Sequence, residues 1–192
     1  MRTLMSLERA IVAISWLVWS VYWIAAARRT AATRRMESLL TGVSYRVPLL
    51  VGICLLVFSR RPLPGFDLTF LPQAPLVAGI GAALTMVGLC FAIWARLHLG
   101  KYWSGRITLK EDHRVIQSGP YSWVRHPIYS GLLLALLGTV ITSGNLQACV
   151  GFAVIFLSFW RKLTVEEIWL RSHFGAEYEV YQKRVKALIP HP

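Results

Sequence analysis

Acid is scarce in this sequence: 9 Asp and Glu stand against 21 Lys and Arg, a formal net charge of +12. Charge of either sign is thin, at 16% of residues, where a soluble domain carries roughly 25%. With 55% hydrophobic residues and a mean hydropathy of +0.50, that deficit excludes an ordinary water-soluble globule and makes lipid part of the solvent. A basic excess suits nucleic acid in principle. Here the arginines punctuate long apolar runs, the pattern of anionic headgroup contact and topology control, so no nucleic-acid partner is expected. Cysteine is nearly absent. Cys54, Cys90 and Cys149 fall in three different apolar runs without a C-x-x-C pair, which excludes a disulfide framework and leaves them as small packing residues. His98, His113 and His173 lack ligand-like spacing, so no metal is expected.

What is present is a series of spans. A membrane helix needs roughly 20 apolar residues, and 17 can suffice. Ala10–Ala27 qualifies, with Trp16, Trp19, Tyr22 and Trp23 inside it; those bulky rings and the following Arg28-Arg29 point to a retained anchor rather than a cleaved leader. Leu39–Phe58 is a second span, interrupted by Arg46 and Pro48, and Leu76–Ala95 a third. Ile128–Thr142 and Leu146–Trp160 are shorter, and the turn Ser143-Gly144-Asn145 makes them a helical hairpin. The expected fold is therefore an all-α integral membrane protein of about five transmembrane helices. Its cytoplasmic cap comes from the 96–127 connector and the C-terminal helices. One membrane domain is expected over 1–192, with N-terminal spans in 1–62 and a cofactor-binding, catalytic half in 96–190. Alternating the loops, and assigning Arg46 to the outer side by default, puts 16 basic residues on one side and 5 on the other. The positive-inside rule then places the N-terminus outside and the connector and tail in the cytoplasm.

The polar cap carries the chemistry. Gly119-Pro-Tyr-Ser-Trp-Val-Arg-His-Pro-Ile-Tyr-Ser-Gly131 packs aromatics, Arg125 and His126 into a turn-rich entrance to an apolar span. Pro127 pushes His126 out of helix geometry and favours a helix start at Pro127 itself. One hairpin later stand Lys162 and the acidic pair Glu166-Glu167. Leu170, Phe174, Tyr178, Tyr181 and Val185 then form an apolar-aromatic stripe suited to lying on the membrane or capping the core.

The string G-P-Y-S-W-V-R-H-P-I-Y-S-G, followed by an apolar hairpin, E-E-I, F-G-x-E-Y and Y-x-x-x-V, resembles the isoprenylcysteine carboxyl methyltransferase family over roughly Leu99–Pro190. That family groups with membrane phospholipid N-methyltransferases and, more distantly, sterol reductases. The resemblance implies S-adenosylmethionine as cofactor, held in a cytoplasmic pocket without a Rossmann domain, and a lipophilic acceptor entering from the bilayer. It further implies that His113, Arg114, Val115 and Ile116 line the cofactor, together with Tyr121, His126, Pro127, Ile128, Tyr129 and Glu166. Lys162 falls where the family carries a basic residue near the acceptor carboxylate, usually arginine, and Arg125 is a second candidate for positioning the acceptor. Arg106 stands where some members have a polar amide. The chemistry agrees: a cationic sulfonium favours aromatic faces and a nearby carboxylate, and its own carboxylate needs donors such as Arg125 and His126. The expected activity is carboxyl O-methylation of an isoprenylcysteine-type acceptor. The alternatives are phospholipid amine N-methylation, NADPH-dependent reduction of a lipid or sterol, and a non-enzymatic scaffold that binds anionic lipid.

Overall fold

The computed structural model describes residues 2–27, 33–110 and 114–190. Helices run over Arg2–Ala27 (α1), Leu39–Val57 (α2), Pro75–Leu99 (α3), Pro127–Ser143 (α4), Leu146–Phe174 (α5) and Ala176–Arg184 (α6). Four of them are long and apolar enough to cross a membrane, and α4 is a shorter apolar helix of 17 residues. At 1.5 Å per residue α4 is roughly 26 Å long, near the hydrocarbon thickness. Exposed Leu, Val and Ile side chains on α1, α2 and α3, such as Leu17, Leu50 and Val87, are what lipid would cover.

Local signals set the boundaries. Ser38 caps α2 by accepting the Thr41 N–H at 3.2 Å, and Asn145 caps α5 by accepting the Ala148 N–H at 2.9 Å. Pro75 and Pro127 occupy the first positions of α3 and α4, where a missing N–H costs nothing. Pro48 sits inside α2, which continues past it. Gly144, at φ +68°, ends α4 and turns the chain into α5, closing the expected hairpin.

Two corrections to the sequence expectations follow. The last span does not stop at Trp160: α5 is one helix of 29 residues, about 43 Å long, that carries Lys162, Glu166 and Glu167 on the same rod as the membrane segment. Arg46 belongs to the connector end, not the opposite one. It pairs with buried Glu37, whose N–H donates to the Ile107 carbonyl at 3.0 Å, so Arg2, Arg9, Arg60 and Arg61 are what remains at the far end. A two-stranded antiparallel ribbon of Thr33–Met36 (β1) and Thr108–Lys110 (β2) adds a small β element to the helical fold. Residues 114–119 join no strand.

Packing depends on small residues, because lipid supplies no hydrophobic drive between helices. α3 lies along α4 and α2 along α5. A Cβ on Gly88 would stand 2.5 Å from the Ala135 nitrogen and 2.5 Å from the Gly131 carbonyl, and one on Gly52 2.6 Å from Ile155 Cγ1. Thr85 Oγ1 donates across to the Ala135 carbonyl at 3.1 Å, and Ser158 Oγ to the Tyr45 carbonyl at 2.6 Å. Gly88→Val is therefore expected to lower the apparent melting temperature in detergent by the equivalent of about 1–3 kcal/mol or more. Gly79→Ala, where an added Cβ meets nothing within 4 Å, should leave it unchanged or slightly raised.

Candidate active site

The cap is organised by one buried ion pair. Arg125 Nε and Nη2 donate to Glu167 Oε1 at 2.8 and 2.6 Å, and Nη1 donates to the Val185 and Gln182 carbonyls. Both side chains are nearly buried, at 10% and 12% exposure. His126 Nε2 lies 3.2 Å from the same Glu167 oxygen, and Gln182 Nε2 donates to Glu167 Oε2 at 3.0 Å. The backbone N–H groups of Arg125 and His126 donate to the Lys186 and Ala187 carbonyls, and Ser130 Oγ donates to the Leu188 carbonyl at 2.6 Å. The C-terminal segment is thereby laced to the entrance of α4. Tyr178, Tyr181 and Val185 form a buried cluster with Val115, Leu170 and Phe174, so the aromatic stripe packs on the connector.

Above this layer a cavity of about 350 Å³ is enclosed by the connector, the α4 entrance, α5, α6 and the tryptophans of α1. Glu166 faces it, one residue from Glu167: successive helix positions are turned by about 100°, so the acidic pair divides between cavity and ion pair. Tyr129 Oη donates to Glu166 Oε2 at 2.9 Å. The Tyr129 ring stacks on His126 at 5.5 Å and on Phe159 at 5.2 Å. Tyr181 Oη donates to the Tyr121 carbonyl at 2.6 Å. Burial, with Glu166 nearby, pushes the Tyr121 phenol above its ordinary range; burial does the same for Tyr178 and Tyr181. All three therefore stay neutral and present aromatic faces. Tyr178 Oη is buried without a hydrogen-bond partner among the described residues, on a side chain that lines the cavity. Lys162 Nζ donates to the Gly105 carbonyl at 3.0 Å and sits between the Tyr45 and Tyr129 rings, 5.5 and 5.6 Å from their centroids.

Of the residues expected from sequence, Arg114, Val115, Ile116, Tyr121, Arg125, His126, Ile128, Tyr129, Lys162 and Glu166 all line this cavity. Pro127 is buried at the start of α4 behind it. His113 lies outside the described residues. Arg125 lines the cavity only as part of the wall, since Nε, Nη1 and Nη2 are all engaged by Glu167 and the tail. Arg106 also lines it, with Nη1 3.2 Å from Met36 Sδ.

Sequence reasoning missed one part of the wall and one buried group that does not line it. Trp16, Trp19 and Trp23 recur at helical spacing and project from one side of α1; Trp23 meets Trp103 edge-on at 5.2 Å, with the Arg96 guanidinium over the Trp103 ring. That 3-then-4 spacing was the available signal. The second is the buried Glu37, which accepts from Tyr45 Oη at 2.5 Å and pairs with Arg46 behind Lys162. No sequence pattern announces it.

The family model for the isoprenylcysteine carboxyl methyltransferase (ICMT) family matches residues 81–172. A protein-S-isoprenylcysteine O-methyltransferase of Schizosaccharomyces pombe is 30% identical over 162 residues, 78% of this chain and 68% of the relative. Protein-S-isoprenylcysteine O-methyltransferase B of Arabidopsis thaliana is 27% identical over 187 residues, 96% of this chain and 92% of the relative. A solved structure of the eukaryotic intramembrane Ras methyltransferase ICMT is 25% identical, with a TM-score of 0.49, and the match spans 79% of this chain and 51% of that one.

Proposed function

We propose, from the premise that this chain belongs to the isoprenylcysteine carboxyl methyltransferase family, that it methylates the carboxylate of an isoprenylcysteine-type lipophile at the membrane using S-adenosylmethionine. The observation that carries this reading is the Tyr129–Glu166 hydrogen bond, which joins the α4 entrance to the cap end of α5 across one cavity. The residues present fit the donor. Stacked His126 and Tyr129 and the face of Tyr121 suit a cation, Glu166 supplies a carboxylate, and the unpartnered Tyr178 hydroxyl supplies a hydrogen-bonding group.

When bound, S-adenosylmethionine supplies an electrophilic methyl group. The chain's own residues position and dry the reaction. Lys162 lines the cavity beside the Tyr129 ring and holds the acceptor carboxylate as a point charge. Trp16, Trp19, Leu49 and Ile53 line the cavity with apolar surface for the lipophilic part of the acceptor. A carboxylate is already a nucleophile, so no general base is needed. Alignment at about 3 Å and exclusion of water supply the acceleration. Arg125 acts as a positioning residue, fixing His126 through their common partner Glu167. With Arg46 at the connector end, the basic excess there favours a cytoplasmic cap and an N-terminus outside.

The direct test is purified protein in detergent with methyl-labelled S-adenosylmethionine and an S-farnesylcysteine derivative bearing a free carboxylate. A base-labile methyl ester is the expected product; no donor binding and no ester would overturn the reading. Lys162→Met should raise the acceptor KM about tenfold or more, the scale of a lost charge-assisted contact, with donor affinity within about twofold. Lys162→Arg should retain most of the acceptor affinity.

A further inference from the structure

A second chamber, of about 710 Å³, opens at the end of the helices remote from the donor pocket. Its rim carries Arg9 from α1, Arg60 and Asp67 from the segment after α2, and Gln73 just before α3. Two guanidinium groups face one carboxylate there, and neither Arg9 nor Arg60 makes a salt bridge among the described residues. Arg9 Nη2 is instead held by Gln73 Oε1 at 2.7 Å, a neutral partner that orients the group and leaves its charge uncompensated. Below the rim apolar side chains are interspersed with Thr139, Thr142 and Asn145, whose hydrogen bonds go to the protein itself. Trp16, Trp19, Ile53, Leu136 and Ile155 belong to the walls of both chambers, so an apolar seam between α1, α2, α4 and α5 joins them. From Arg9 to Trp19 is ten residues of α1, about 15 Å, which is half the hydrocarbon thickness and the reach of one leaflet-length chain.

We propose that the outer chamber binds an amphiphile with an anionic phosphate head and an apolar chain. Arg9 and Arg60 hold the phosphate, since guanidinium forks match its oxygens. The chain descends along the seam past Trp16 and ends near Trp19, beside the space assigned to the lipophilic acceptor. An anionic head explains why the rim is cationic while the seam is apolar.

The test uses full-length protein in detergent and does not depend on methyl transfer. Palmitoyl-lysophosphatidate and monopalmitoylglycerol share one chain and differ in the phosphate. Native mass spectrometry should show the first retained at least tenfold more tightly by the wild-type protein. A lysophosphatidate with a diazirine at the chain end should crosslink to Trp16, Trp19, Ser20 or Ile53. Arg9→Gln and Arg60→Gln should each weaken retention at least fivefold while binding of S-adenosylmethionine stays within twofold. Equal retention of the two lipids by the wild-type protein overturns the proposal, whatever the variants do. So do crosslinks confined to the basic connector or to the lipid-facing residues Leu17 and Val18.

Discussion

Replacing Glu166 by glutamine is expected to weaken binding of S-adenosylmethionine ten- to a hundredfold, read by calorimetric titration of the purified protein. The carboxylate lines the cavity and accepts from Tyr129 Oη at 2.9 Å. Hydrogen bonds to charged groups are worth about 1.5–3 kcal/mol, and 1.4 kcal/mol is a factor of ten in affinity. Glutamine keeps the shape and one acceptor oxygen but removes the charge, so the substitution isolates the electrostatic part. Tyr129→Phe should cost less, because it deletes one neutral hydroxyl and leaves the stack on His126 and Phe159. A dissociation constant unchanged by Glu166→Gln would remove Glu166 from the donor site.

Arg125→Ala should act differently, by loosening the cap. Its guanidinium is the common partner of Glu167, the Val185 carbonyl and the Gln182 carbonyl, at 10% exposure. Removing one member of a buried pair leaves the other charged and desolvated, a cost of about 3–5 kcal/mol. His126 and Gln182 remain beside Glu167 and soften the loss toward the lower figure. The apparent melting temperature in detergent should fall clearly, and protease should cleave the segment after Val185 sooner than in the wild type. Donor affinity should fall as a consequence of the displaced His126. If stability and cleavage were unchanged while only the acceptor KM rose, Arg125 would be an acceptor contact and not a support for the cap.

The spans were legible because hydropathy over some 20 residues is a strong signal and because Pro75, Pro127, Gly144 and Asn145 mark their ends. His126, Tyr129 and Glu166 were named through the family resemblance, and all three line one cavity. The continuity of α5 was not. Arg161-Lys162 looks like the boundary of a span, and only packing shows that the helix continues through it to Phe174. β1 was hidden as well, since Thr33-Arg-Arg-Met36 has no apolar alternation and is defined by its pairing with Thr108–Lys110. The duty of Arg125 could not be read locally, because its carbonyl partners lie 57 and 60 residues away. Arg46 was misplaced for a similar reason: its partner Glu37 belongs to the short segment before α2, and the default of alternating loops ignored it.

The unbroken course of α5 from Leu146 to Phe174 ties chemistry to anchorage. No hinge lies between the stretch that spans lipid and the two side chains, Lys162 and Glu166, that line the cavity. Adding or deleting one residue anywhere upstream in that rod would rotate both by about 100°, turning them away from Tyr129 together. The helix thus works as a fixed axle: its angular phase in the bilayer and the aim of its working groups are a single quantity.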